Sequence, residues 1–338
     1  MITVRLHWSR HMFHLSPTPL LPYSPTPLLP YSPTPLLPYS PTPLPMQYDI
    51  RLAIHYEYDH PVGSGRHLVR VLPLNIDGVQ RVVAASVAVT PKPAERSDFT
   101  DFFGNHVSSI AVRTAHDELD VRMTARVAVT RPAPSFDVSA RLADLADEIA
   151  AVWSLAPDSP HHFTGASDHA GIDDEITAYA AQSAAEDNSV EALAERLCHR
   201  IHADFAYDVE ATTVATRAPA AFALRRGVCQ DFSHVMISGL RGLGVPAGYV
   251  SGFLRTIPPP GKERLEGADA MHAWVRAWCG REAGWREFDP TNGMRAGDDH
   301  ITVGYGRDYD DVAPIVGIVK IAGKQATEQS VDVVPAAE

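Results

Sequence analysis

Arg226-Gly227-Val228-Cys229-Gln230-Asp231-Phe232-Ser233-His234 is the stretch on which the reading of this chain turns. A glycine-bearing turn runs into a helix whose apolar positions, Phe232, Val235, Met236, Leu240 and Leu243, recur at helical spacing. That helix stops at Gly242-Leu243-Gly244-Val245-Pro246, where glycine and proline supply turn chemistry. Cys229 therefore falls in the first helical turn, where unpaired backbone N–H groups and the helix dipole favour an anion. A free thiol ionises at about pH 8.5, and a helix start beside an imidazolium lowers that by several units. The Cys229 backbone N–H points to where an oxyanion forms on an attacked carbonyl. Gly227 lets the chain enter the helix tightly and leaves room for a substrate.

Working outward, a strand is predicted over Ala270–Cys279 and another over Trp285–Phe288, ending at Asp289. Alternation places His272, Trp274, Arg276 and Trp278 on one face of the first, and Met271, Ala273, Val275 and Ala277 on the other. If the two strands pair, the Asp289 carboxylate reaches the far ring nitrogen of His272. Thiol, imidazole and carboxylate are the parts of a cysteine acyl-transfer site: a thiolate attacks, a histidine shuttles the proton, and an acid holds the ring's tautomer. Gln230, Tyr207, Asp231 and Trp274 are candidates for oxyanion binding or for supporting the three. Metal chemistry fits worse. Cys198, His199, His202, Cys229 and His234 lack the paired spacing of zinc sites, and His161-His162 has no cysteine or acidic partner. No cofactor is expected, and His234 reads as a packing residue or a support for the site.

The flanks are plainer. Tyr48, Ile50, Leu52, Ile54 and Tyr56 alternate with polar or small residues, the period of a half-buried strand. Further strands are predicted at His67–Leu72, Val79–Thr90, His106–Thr114 and Asp120–Thr130, so residues 46–131 read as an antiparallel β-domain. Residues 132–338 read as an α+β core with its own C-terminal strands. Helices are predicted at Ala140–Trp153, Asp173–Ala185 and Ser189–Ala203; in the last, Leu193, Leu197 and Ile201 form a buried stripe behind a Ser189 cap. Cys198 beside that stripe reads as core filler. Residues 1–45 form a third segment, because an octapeptide, Ser-Pro-Thr-Pro-Leu-Leu-Pro-Tyr, repeats from Ser16 and takes up twelve of the 28 prolines. Disorder or polyproline II is expected there, and Met46 reads as the start of folded sequence.

The net charge of −12 argues against nucleic acid, and no apolar run approaches the roughly 18 residues of a membrane helix. Three unpatterned cysteines suit reduced thiols in a cytoplasm rather than a disulfide scaffold. The sequence sets no oligomeric state.

Gly227–His234, Leu243–Ala247, Val250-Ser251-Gly252, Asp269–Trp274, Gly284-Trp285 through Asn292, His300-Ile301 and Gly306–Pro314 together resemble the bacterial transglutaminase-like cysteine protease family. The resemblance spans nearly everything after Met46. It implies a papain-like core behind an N-terminal β-domain, a Cys229–His272–Asp289 triad and a peptide or protein substrate. It leaves the substrate's identity open, since members are described as proteases, transglutaminases and amidases. Serine is usual in the family at the position of Met271, which is expected to alter packing rather than chemistry. Arg307-Asp308-Tyr309 is expected to supply a structural ion pair. The expected reaction is cysteine-dependent acyl transfer on a peptide or glutamine-like amide, with hydrolysis favoured over transglutamination. The alternative is a non-catalytic peptide-binding module that keeps the three residues as scaffold.

Overall fold

The computed structural model describes residues 45–132, 136–184, 189–256, 270–319 and 323–336. The proline-rich repeat, the loop after Thr256 and Asp269 lie outside the described residues, as do the expectations placed on them. Described elements run β1 (Met46–Val62), β2 (Gly65–Val69), β3 (Gln80–Thr90), β4 (Glu95–Thr100), β5 (His106–Val112), β6 (His116–Val129), α1 (Leu145–Ala150), α2 (Asp174–Ala181) and α3 (Val190–Asp204). After these come β7 (Ala206–Tyr207), α4 (Ala218–Leu224), β8 (Arg226–Gly227), α5 (Cys229–Gly242), β9 (Ala247–Leu254), β10 (Ala270–Trp278) and β11 (Trp285–Asp289). The remainder is β12 (Met294–Arg295), β13 (His300–Gly306), α6 (Tyr309–Val312), β14 (Ile315–Val319) and β15 (Gln325–Pro335). The fold is α+β, with three antiparallel sheets ordered β15-β1-β6-β3, β14-β2-β5-β4 and β12-β11-β10-β9-β13.

Alternation in β1 does what its period demands: Tyr48, Ile50, Leu52 and Ile54 are buried while Arg51 and Glu57 face water. Their cluster takes in Val69 and Ile110 from the second sheet and Phe253 and Ile301 from the third. Each such side chain contributes roughly 1.5–3 kcal/mol by leaving water. The last two strands depart from the expected division at residue 132. Tyr48 lies opposite Pro335 along the β1–β15 ladder, and Val69 opposite Ile315 along β2–β14. The reason is apolar: Val331 and Val333 complete the cluster begun by Ile50 and Leu52, and their strand covers an edge that β1 would otherwise leave open. The C-terminal strands thus pair with strands of the β-region.

Local differences also have local causes. The helix expected over Ala140–Trp153 shortens to α1, because backbone bonds from Ala140 N–H to Cys279 and from Val190 N–H to Ala140 hold the first residues extended. The β4 strand is exposed along its whole length and carries no alternation to announce it. Nor was α4 anticipated; it has proline in its first turn and closes on Arg225 at φ 54°, whose guanidinium lies 3.8 Å over the Phe222 ring. As expected, Ser189 caps α3 through its Oγ, and Leu193, Leu197, Ile201 and Cys198 are buried.

Around the third sheet, α5 is the central helix, buried along nearly all its length against β9, β10, α2 and α3. Gly244, at φ 80°, ends it with bonds from Gly244 N–H to Arg241 and from Val245 N–H to Leu240. The buried Arg241 ties α5 to its surroundings by donating to the carbonyls of Phe163, Ala247 and Arg307. Arg307 forms a bidentate pair with Asp311, while Asp308 accepts from the His169 backbone. Among the described residues no helix is long and apolar enough to cross a membrane.

Candidate active site

The turn into α5 is built by Gly227 and Asp231. Gly227 sits at φ 155°, and a Cβ there would overlap the Asp231 carboxyl. That carboxyl is buried and accepts from Val228 N–H at 2.8 Å and from the Thr212 hydroxyl at 2.6 Å. Val228 has no side-chain acceptor, so only this half of a capping box exists. Asp231 therefore shapes the helix start and does not face a substrate, and burial raises its pKa. Cys229 is then the first helical residue and half-exposed, whereas Cys198 and Cys279 are buried. Burial pushes the Cys198 thiol up to about 12, with the Asp289 charge adding to it, and raises Cys279 as well. Neither is a nucleophile at neutral pH.

β10 pairs with β11 in the register Val275 opposite Phe288 and Trp278 opposite Trp285. The pairing carries Asp289 to His272, whose Nε2 lies 2.8 Å from Asp289 Oδ2. The Cys229 thiol lies close enough to the ring to favour its charged form. Burial disfavours the charged ring, but the bonds to Asp289 and Cys229, and their charges, outweigh it and raise His272 to about 10. Asp289 is fully buried and accepts five bonds: from His272, His300 and Asn292 side chains on Oδ2, and from Thr291 and Asn292 N–H on Oδ1. Despite burial, those donors hold its carboxyl far below the usual carboxylate range. The structure thus joins His272 to Asp289 by a hydrogen bond and sets the Cys229 thiol close enough to act on the ring's charge.

Comparison with known proteins places the fold in a family. Residues 48–128 match the bacterial transglutaminase-like N-terminal region and residues 177–290 match the transglutaminase-like superfamily. An uncharacterized protein of Mycobacterium tuberculosis is 35% identical over 302 residues, covering 86% of this chain and 93% of that protein. The chain belongs to the bacterial transglutaminase-like family. An uncharacterized Mycobacterium leprae protein is 44% identical over 109 residues, 31% of this chain and 36% of that one. The crystal structure of a proposed cysteine protease from Cytophaga hutchinsonii shares the fold, with a TM-score of 0.65 at 20% identity over 87% of this chain and 92% of that one.

The remaining candidates divide within this transglutaminase-like core. Gln230 donates its side-chain amide to the Val214 carbonyl at 3.0 Å, away from oxyanion duty. The indole N–H of Trp274 is likewise engaged, at 2.8 Å from Glu287 Oε2, with the ring fully buried 6.1 Å from that of His272. Tyr207 stays open: its strand bridges to Gly227, and burial and then the nearby Cys229 charge raise its phenol. His234 packs, fully buried, against the His169 ring at 5.0 Å. Met271 sits among the apolar residues around Phe253 and Ile301. Asn292 and His300 were not assigned a role from sequence. For Asn292 a signal existed, since Asp-Pro-Thr-Asn is an Asx-type turn that folds back on its own carboxylate. His272, Asp289 and His300 also place ring nitrogens and a carboxylate oxygen within 4.8 Å of one another, a spacing open to a cation. Hydrogen bonding among the three already accounts for it.

Proposed function

We propose that this transglutaminase-like chain is a cysteine hydrolase that cleaves a peptide or glutamine-like amide through a thioester on Cys229. The observation that carries this reading is the 2.8 Å His272–Asp289 bond near Cys229, whose half-exposed sulfur sits at a helix start. The sulfur attacks the carbonyl carbon, and the C=O electrons move onto oxygen beside the first amides of α5. As the tetrahedral intermediate collapses, the C–N bond breaks and His272 gives its proton to the leaving amine. A thioester and a neutral imidazole remain. Water then attacks the thioester, His272 takes its proton, the C–S bond breaks, and acid product leaves with the ion pair restored. Asp289 keeps the ring aimed and steadies its charge throughout.

An amine in place of water would yield a cross-linked product. Hydrolysis is favoured because indiscriminate cross-linking is harmful inside a cell, and the Cytophaga hutchinsonii relative in fold carries a protease designation. The reading sets the enzyme in the cytoplasm, where a reactive thiol stays reduced, and all three cysteines are free. The test is a panel of peptide and glutamine amides with Cys229→Ala as control, alongside iodoacetamide labelling. Expected are turnover lost in Cys229→Ala and selective labelling of Cys229. Labelling of Cys229 no faster than that of Cys198 or Cys279 would end the proposal.

A further inference from the structure

His300 opens β13 opposite Leu254 and is 1% exposed. Its Nδ1 lies 3.1 Å from the Gly297 backbone N–H, which can only donate, so that nitrogen is an acceptor and carries no proton. The ring proton therefore sits on Nε2, 3.1 Å from Asp289 Oδ2. Here it meets the same carboxylate oxygen that holds His272.

The surroundings immobilise this contact. Trp274 stands edge-on to His300 at 5.2 Å and is itself anchored to Glu287. Arg131 reaches the His300 carbonyl at 3.4 Å and pairs with Glu287 at 2.9 Å. Cys198 is a further titratable group close enough to feel the Asp289 charge. A carboxylate bound by one imidazole can swing about its own side-chain torsions. One that accepts from His300, Asn292 and two backbone amides has a single direction left, which is the one His272 occupies.

We propose that His300 is a positioning residue: by donating from Nε2 it fixes the aim of Asp289, and through it the orientation of His272 against Cys229. This rests on reading those three residues as the reacting set. His300 touches no reacting atom, and its contribution is preorganisation.

The test compares His300→Gln, which keeps a side-chain N–H donor, with His300→Met, of similar bulk and no donor, in the full chain. Removing an orienting partner of this kind lowers turnover about 10- to 100-fold. His300→Met should show that loss in kcat with KM changed less than about threefold, and the acid limb of the pH profile should move up as Asp289 loses a donor. His300→Gln should recover kcat to within about threefold of the parent. A purely structural role would lower the melting temperature of both variants alike and leave the limb in place; equal losses in the two overturn the proposal. A second readout needs no amide turnover. Isotope-labelled histidine NMR of the parent protein should show a bare Nδ1 and a protonated Nε2 on His300. A proton on Nδ1 refutes the inference, even if His300→Met does not fold. The low-field His272–Asp289 N–H signal should survive in His300→Gln and vanish or shift in His300→Met, and an unchanged signal in His300→Met likewise refutes it. Absence of turnover in every variant would strike at the proposed hydrolase alone, and the spectra would still decide His300.

Discussion

β1 and β10 are both long antiparallel strands, and they handle their two faces in opposite ways. In β1 the residues between Tyr48, Ile50, Leu52 and Ile54 turn outward, and polar groups such as Arg51 and Glu57 keep their water. In β10, Ala273, Val275 and Ala277 join the cluster beneath α5, while Trp274 and Arg276 on the other face are buried as well. Charges on that second face cannot be hydrated and must satisfy one another: Arg276 lies 4.3 Å over the Tyr305 ring, and Glu287 accepts from Arg131 and Trp274. The same exclusion of water lets Asp289 govern a proton on His272. A strand that closes both faces gains a place where small displacements of charge matter, and a strand with one wet face contributes only cohesion.

The largest test of that contrast is Asp289→Asn, expected to lower kcat/KM roughly ten-thousandfold by losing the ring's orientation and charge partner. Turnover kept within about tenfold of the parent would show that the closed face is not doing chemistry. The pH profile follows from the same carboxylate. His272, raised to about 10, keeps its proton through the neutral range, so the alkaline limb of activity should lie near pH 10 and fall in Asp289→Asn. In stability terms the folded value lies above the unfolded one of about 6.5. The contribution is therefore complete below about pH 6.5 and disappears as pH rises through about 10.

Ile50→Ala should do the reverse of Asp289→Asn. It opens a cavity costing about 3 kcal/mol in denaturant melts while leaving the alkaline limb where it was. A moved limb would couple the two strands and weaken the contrast. Gly252→Ala lies between the two kinds, because a Cβ there would overlap the Ile301 carbonyl and the Trp274 ring. We expect about 2 kcal/mol of destabilisation together with a measurable loss of rate, since Gly252 faces His272 across the β9–β10 ladder. Smallest is Ser189→Ala, which removes the α3 cap and touches no site residue, at about 1 kcal/mol in a thermal melt with no kinetic effect.

These differences also explain what could be read in advance. Period-two alternation announced β1, and the helix-start position of Cys229 and strand-end position of Asp289 marked two residues whose side chains emerge where backbone elements stop. His272 was legible because it lies on a strand whose alternation sets it on the face opposite the small residues Ala273 and Ala277. The closed face of β10 was not legible, because Arg276, Glu287 and Arg131 look like surface charges until the sheet and the preceding segment cover them. His300 escaped for a related reason: its contact with Asp289 exists only once β13 lies beside β9, a pairing no local pattern encodes. For Gln230 and Trp274, candidates for oxyanion binding or support, sequence shows that an N–H exists and not that Val214 or Glu287 holds it. Short α4 and exposed β4 carry too few periodic residues to register.

The ladder between β1 and β15 has a consequence for how the molecule comes into being. The first described strand to leave a ribosome has one flank unfilled until Gln325–Pro335 emerges, so it must wait with hydrogen-bonding groups exposed while everything between is synthesised. Closing so long a loop is slow. A chain released early, short of Gln325, would keep that flank bare and recruit strands from its neighbours, which makes premature termination a hazard of clumping rather than a simple loss of length.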